Sequence, residues 1–152
     1  MKDVIETFEI NNRINLFLLN ETDESWLNDS VASKGRNAGE QFAHIHNVRL
    51  MWVKAAAPEL LTGLNKIEKE NGINKKQLVK ELTNSGIAIV KLLNKAFAEN
   101  RLKGFKPHPT AFVGYIISHE SHHRGQIMLC LKENKHLTNK SLGFAIWEWG
   151  TR

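Results

Sequence analysis

A single cysteine, Cys130, and three prolines stand in 152 residues. One cysteine rules out an internal disulfide framework, so the cytoplasm is the expected compartment. The prolines fall at Pro58, Pro107 and Pro109, between stretches of helical periodicity, where they mark helix boundaries. Long apolar runs are also missing. None approaches the ~20 residues that span a bilayer, so no membrane partner is expected. The opening MKDVIETFEINNR has early acids and no continuous apolar core, which argues against a secretory leader. Arginine-rich blocks and aromatic–basic interleaving are absent too. The formal charge of +5 comes from lysines scattered along the chain, a pattern that disfavours nucleic acid as a partner.

What is present is helical periodicity. A first helix is predicted over about Asp3–Asn20, with Val4, Phe8, Ile14, Phe17 and Leu18 on its apolar side. A second runs from near Asn37 to just before Pro58, with the stripe Gln41, His44, Val48, Met51 and Ala55 taken as its inner face. A third covers about Lys75–Asn100, capped by Asn74 with Gln77 completing an approximate capping box. A fourth starts after Thr110 as N-cap and ends near Asn134. Ser141–Trp149 is expected to form a short fifth helix, with Phe144, Trp147 and Trp149 covering one end of the core. No strand pattern or internal repeat persists. The expected fold is therefore all-α, an antiparallel four-helix bundle in one domain over residues 1–152. Two connections of about 15 residues, between the first three helices, have the length of site rims or lids.

Three of the seven histidines lie within Ser118-His119-Glu120-Ser121-His122-His123-Arg124-Gly125-Gln126. At 100° per residue, His119 and His123 are about 40° apart around a helix and about 6 Å apart along it. Two imidazoles so placed can converge on one cation. Phe112, Ile116, Ile127 and Cys130 share their direction, which points both into the core, where each ring nitrogen needs a partner. His122 falls on the flank and is expected to pack or to meet a partner. Glu120, about 100° from His119, is expected at the helix surface. His108 and His136 lie in predicted loops without a role. A third ligand is sought in Phe42-Ala43-His44-Ile45-His46. Direction favours His44, on the presumed inner stripe, over His46, which sides with Phe42, Arg49 and Val53. Three histidines and one open position make the catalytic rather than the structural kind of metal site. Cys130, two turns beyond His123, is expected to pack as a small apolar residue rather than act as a nucleophile.

His119-Glu120-Ser121-His122-His123 also satisfies H-E-x-x-H, with Glu120 as the general base of a zincin-type metallopeptidase. Against this, Gln126 stands where the longer metzincin pattern needs glycine, and the strands that hold an extended peptide are missing.

The segment from His119 to Ile127 resembles the signature of the DinB/YfiT-like superfamily, H-x-x-x-H-R-G-Q followed by an apolar residue. Phe42-Ala43-His44-Ile45, trailed by Trp52, is similar to that family's earlier motif. The likeness covers essentially the whole chain. It implies a four-helix bundle, often a homodimer, with a site at His44, His119 and His123 for zinc, nickel or another divalent ion such as iron. It implies a small-molecule substrate and the chemistry of a low-molecular-weight-thiol S-transferase or a hydrolase. A metal-binding bundle without turnover, serving as a sensor or interaction module, is the alternative. Within the motif, Gly125 is expected to allow close helix approach, Arg124 to face away from the metal toward a carboxylate, and Gln126 to bond the free nitrogen of a ligand histidine.

Overall fold

A computed structural model describes residues 1–136 and 140–151. Four long helices, α1 (Lys2–Glu21), α2 (Ala38–Ala56), α3 (Lys75–Ala98) and α4 (Pro109–Glu133), are followed by a short α5 (Lys140–Ala145). Among the described residues there is no strand, only an isolated bridge between Leu102 and Phe105. The fold is all-α, as the periodicity predicts.

The helix starts follow capping chemistry. Asn37 and Glu40 form a reciprocal capping box at α2, with Asn37 Oδ1 accepting from Glu40 N at 2.8 Å and Glu40 Oε2 from Asn37 N at 3.0 Å. Asn74 accepts from Gln77 N at 2.9 Å to open α3. The start of α4 differs from expectation. His108, not Thr110, is the N-cap, and its Nδ1 accepts from Ala111 N at 3.2 Å. Pro109 takes the first helical position, where a preset φ helps and a missing N–H costs nothing, so the helix begins before Thr110. His108 thus has a structural task.

Two core clusters give the helix directions. Phe8 and Phe112, from the starts of α1 and α4, share one cluster with Val53 and Leu92, from the later parts of α2 and α3. Leu18 and Ile127 share the other with Phe42 and Leu78. So α1 and α4 run one way, and α2 and α3 the other. The antiparallel neighbours are α1 with α3 and α2 with α4; α1 also packs on α4, and α2 on α3.

Because α2 and α3 run the same way, residues 57–74 must return along the whole bundle. Asn47 straps that connection down: its Nδ2 donates to Ile67 O at 2.9 Å, and its Oδ1 accepts from Ile67 N at 3.0 Å. The other long connection, residues 22–37, is tied to the end of α4. Glu133 Oε2 accepts from Ala32 N at 3.0 Å, and Asn134 Nδ2 donates to Ser30 O at 2.9 Å. His136, expected to have no role, stacks on Trp26 and bonds Asp29.

The C-terminal expectation is only half met. Leu142 packs against the core and Trp149 is half-buried in a turn that contacts α1, but Phe144 and Trp147 are 70% and 75% exposed. No helix among the described residues is long and apolar enough to cross a membrane.

Candidate metal centre

The inner face of α2 is not the one its apolar spacing suggests. Phe42, Ile45, His46, Arg49 and Val53 are buried, whereas Met51 is 52% exposed and Ala55 is exposed. His44 is half-buried at the α2–α4 seam, and that edge position is what lets it meet α4. Its ring centroid lies 5.4 Å from that of His119 and 4.5 Å from that of His123. One ligand nitrogen from each of His44, His119 and His123 falls within 4.8 Å of the others, so the three could hold a metal ion. His119 is half-buried and His123 buried.

Chemistry and spacing fit a divalent ion. His123 Nε2 and His119 Nε2 are 3.2 Å apart. Two nitrogens at about 2.0–2.1 Å from a tetrahedral zinc stand roughly 3.4 Å apart, so small ring rotations suffice. Burial lowers the proton affinity of all three histidines below the usual value, and for His123, with His119 and His44 beside it, the pKa falls to about 3. Near pH 7 each imidazole is therefore neutral and keeps the lone pair a metal needs.

Gln41, one turn before His44, orients the innermost ligand. Its Oε1 accepts from His123 Nδ1 at 2.7 Å, which leaves Nε2 of that ring as the lone-pair nitrogen. This is the role the sequence assigns to Gln126; the nearer amide comes instead from α2, across the seam. Gln41→Leu is expected to weaken metal binding about 10–100-fold with the fold intact, as a ligand's lost supporting bond does. Competition with a chromophoric chelator measures this, and unchanged affinity would show that the ring is held some other way.

His46 is placed elsewhere. It is fully buried, with Nδ1 3.0 Å from Glu81 O and Nε2 2.8 Å from Asn65 O, so both ring nitrogens face backbone carbonyls. It joins α2 to α3 and to the returning connection. His122 is exposed, its ring 5.1 Å from that of His123. Cys130 is buried, and burial raises its thiol pKa, which suits packing rather than nucleophilic attack.

Beneath the histidines lies a network that hydropathy does not reveal. Glu120 is 0% exposed, not a surface carboxylate. Arg49 grips it in a fork, Nε to Oε1 at 2.7 Å and Nη2 to Oε2 at 2.8 Å. Asn11 and Asn15 of α1 each donate to Oε2 at 2.6 Å. Arg124 points into the same cluster and donates to Asn11 Oδ1, Asn15 Oδ1 and Ser121 Oγ at 2.6–2.7 Å. Both carboxylate oxygens are engaged, so Glu120 cannot serve as the general base that the zincin reading requires. Arg124 meets amide and hydroxyl oxygens rather than a carboxylate. Gly125 is exposed with no atom within 4 Å of a would-be Cβ, so it mediates no close helix approach; Gly86 does, against Asn12 of α1.

Beside His44 opens a cavity of about 600 Å³. Both long connections line it, through Gly35 and Arg36 on one side and Lys66–Glu70 on the other, so they form rims as their lengths suggest.

An all-α bundle with three neutral imidazoles converging at one helix seam defines a class, the helical-bundle proteins that can hold a divalent metal. The DinB family profile matches residues 2–134, and the chain belongs to that family. Among solved structures, it is similar to a DinB-like protein from Bacillus cereus ATCC 10987, with a TM-score of 0.64 at 17% identity, covering 89% of this chain and 93% of that one. That likeness concerns the fold. No curated protein matches the chain.

Proposed function

We propose that this protein is a metal-dependent enzyme acting on a small molecule, either an S-transferase that uses a low-molecular-weight thiol or a hydrolase. Zinc or nickel is the favoured ion and iron the next. The observation that carries the reading is the convergence of three histidines, one of which, His44, lines a cavity of about 600 Å³. Among the described residues no cysteine or carboxylate joins the group, which leaves room for a ligand from solution.

A divalent ion at His44, His119 and His123 would supply a Lewis acid that makes a bound thiol or water a nucleophile near neutral pH. The chain supplies the rest. Gln41 keeps the His123 lone pair aimed at the site. The rims of the cavity give the substrate a place to sit beside His44. Tyr115 lies along the His119 ring, with centroids 6.4 Å apart, and continues into Trp52, Phe105 and Phe112, an aromatic wall on one side of the site. The reading takes the cytoplasm as its compartment and a homodimer as its assembly, supported by the lone cysteine and by the family resemblance respectively.

The test is elemental analysis of protein purified without an affinity tag. Thiol-transfer and ester-hydrolysis assays with the identified metal follow. Metal bound with turnover that chelation removes is the expected result. Stoichiometric metal with no turnover of any thiol or ester would overturn the enzymatic reading in favour of a sensor or binding module.

A further inference from the structure

The charge balance at the site is one-sided. Three neutral imidazoles leave the two positive charges of a divalent ion uncompensated, and the carboxylate nearest in sequence, Glu120, is committed to Arg49. The rim adds a further cation. Arg36 sits just before the α2 cap and lines the same cavity as His44. Its backbone is anchored close to the ligands: Gln41, whose Oε1 holds His123, turns its Nε2 toward Arg36 O at 3.5 Å, and Cys130 Sγ lies 3.9 Å from the same oxygen. Yet the guanidinium is exposed, and among the described residues it has neither an ion pair nor a hydrogen bond.

Lys69 is another cation on the rim, but it stands between Glu68 and Glu70 in sequence, and its single ammonium lacks a planar fork of donors. Lys66 is paired with Glu68 at 2.8 Å, and the Glu40 carboxylate serves the α2 capping box. Arg36 is therefore a fork of donors without an acceptor, held at its backbone and lining the same cavity as His44, one of the three converging histidines. A planar carboxylate matches that fork in shape and charge. A phosphate also suits a guanidinium, and since Lys66 and Lys69 offset Glu68 and Glu70 on the rim, competition between the two anions is what separates them.

We propose that Arg36 is a specificity-determining residue that binds a carboxylate on the substrate or thiol while another atom of that molecule occupies the position beside His44, His119 and His123. The inference rests on the metal-dependent reading above and narrows its substrate class to small carboxylate-bearing molecules. Two attachment points, one at the metal position and one at Arg36, would also fix the orientation of the molecule, which a lone site at the metal cannot do.

The experiment uses the full chain loaded with cobalt(II), whose visible spectrum reports a new sulfur ligand. The probes are 3-mercaptopropionate and its neutral analogue 3-mercaptopropionamide. The acid is expected to bind at least tenfold more tightly than the amide, as a charge-assisted bond implies. Arg36→Gln is expected to erase that preference while cobalt stoichiometry is unchanged, and Arg36→Lys to keep part of it. Inorganic phosphate is expected to compete poorly. Equal affinity for the two probes, a preference that survives in Arg36→Gln, or displacement by phosphate at lower concentration than by the acid would each overturn the assignment to Arg36 and a carboxylate. Failure of the parent protein to take up cobalt is a different result, which would overturn the metal-centre reading and this proposal with it.

Discussion

Replacing His123 with alanine is expected to abolish stoichiometric metal binding, with His119→Ala and His44→Ala close behind. His123 is the most enclosed of the three, and its ring lies about 4.5 Å from each of the others, so its loss removes a ligand and opens the centre to water. Losing one of three imidazoles should weaken binding by several orders of magnitude, because two nitrogens cannot complete the protein's share of a tetrahedral shell. The matched control is His46→Ala. That side chain sits between Glu81 O and Asn65 O and, being neutral, donates to one of them, so its removal should cost stability, about 2–4 kcal/mol for a buried hydrogen bond and a cavity. Metal stoichiometry should survive it. Elemental analysis of the four variants beside urea denaturation separates the two effects. Metal retained in His123→Ala, or lost in His46→Ala but not in His44→Ala, would require a different ligand set.

Glu120→Ala should have the larger effect on stability. The network beneath the histidines holds two guanidinium groups, those of Arg49 and Arg124, against one carboxylate. Removing the carboxylate leaves both cations enclosed without a counter-charge, which costs about 3–5 kcal/mol for a buried pair broken on one side. For a domain of this size that is a large part of the total. Glu120→Gln keeps the shape and some acceptor capacity but not the charge. If charge compensation dominates, it should fall nearly as far as alanine. If it stays close to the parent in urea midpoint, hydrogen-bond geometry rather than charge holds the cluster together.

The same network explains which parts of the structure were legible in the sequence. Helix positions and their number follow from periodicity and capping residues, and the α4 histidines follow from their spacing. The inner face of α2 was misread because Arg49 and His46 point inward while Met51 and Ala55 point out. A hydropathy pattern scores a buried arginine as surface, and here the arginine marks the core. His44 was favoured for a stripe that is not the core; its real qualification is its place on the seam with α4. Glu120, which the sequence puts at the surface, is buried for the same reason, because α1 and α2 bring it partners, while Arg124 turns to α1 and meets Asn11 and Asn15 instead of a carboxylate. Spacing places Gln41 on the inner stripe of α2, but its bond to His123 depends on how α2 and α4 are paired across the bundle, which local spacing does not encode. The sequence predicts an antiparallel bundle, but that α2 and α3 run the same way shows only in which of their residues share a core cluster.

That buried network also has a consequence for how the chain is made. The bonds that satisfy Arg49 and Asn11 join residues 71 and 109 positions apart. A ribosome that has released α1, α2 and α3 has therefore exposed a cationic Arg49 whose acid is still untranslated. Closing the first three helices around it would bury that charge alone, at a cost their apolar contacts must overcome. Stable packing is thus deferred until α4 emerges, and the segment that completes the electrostatics is the one that delivers His119 and His123. The three histidines can meet only once α4 has joined the bundle, so any ion they hold would have to be taken up at or after that step.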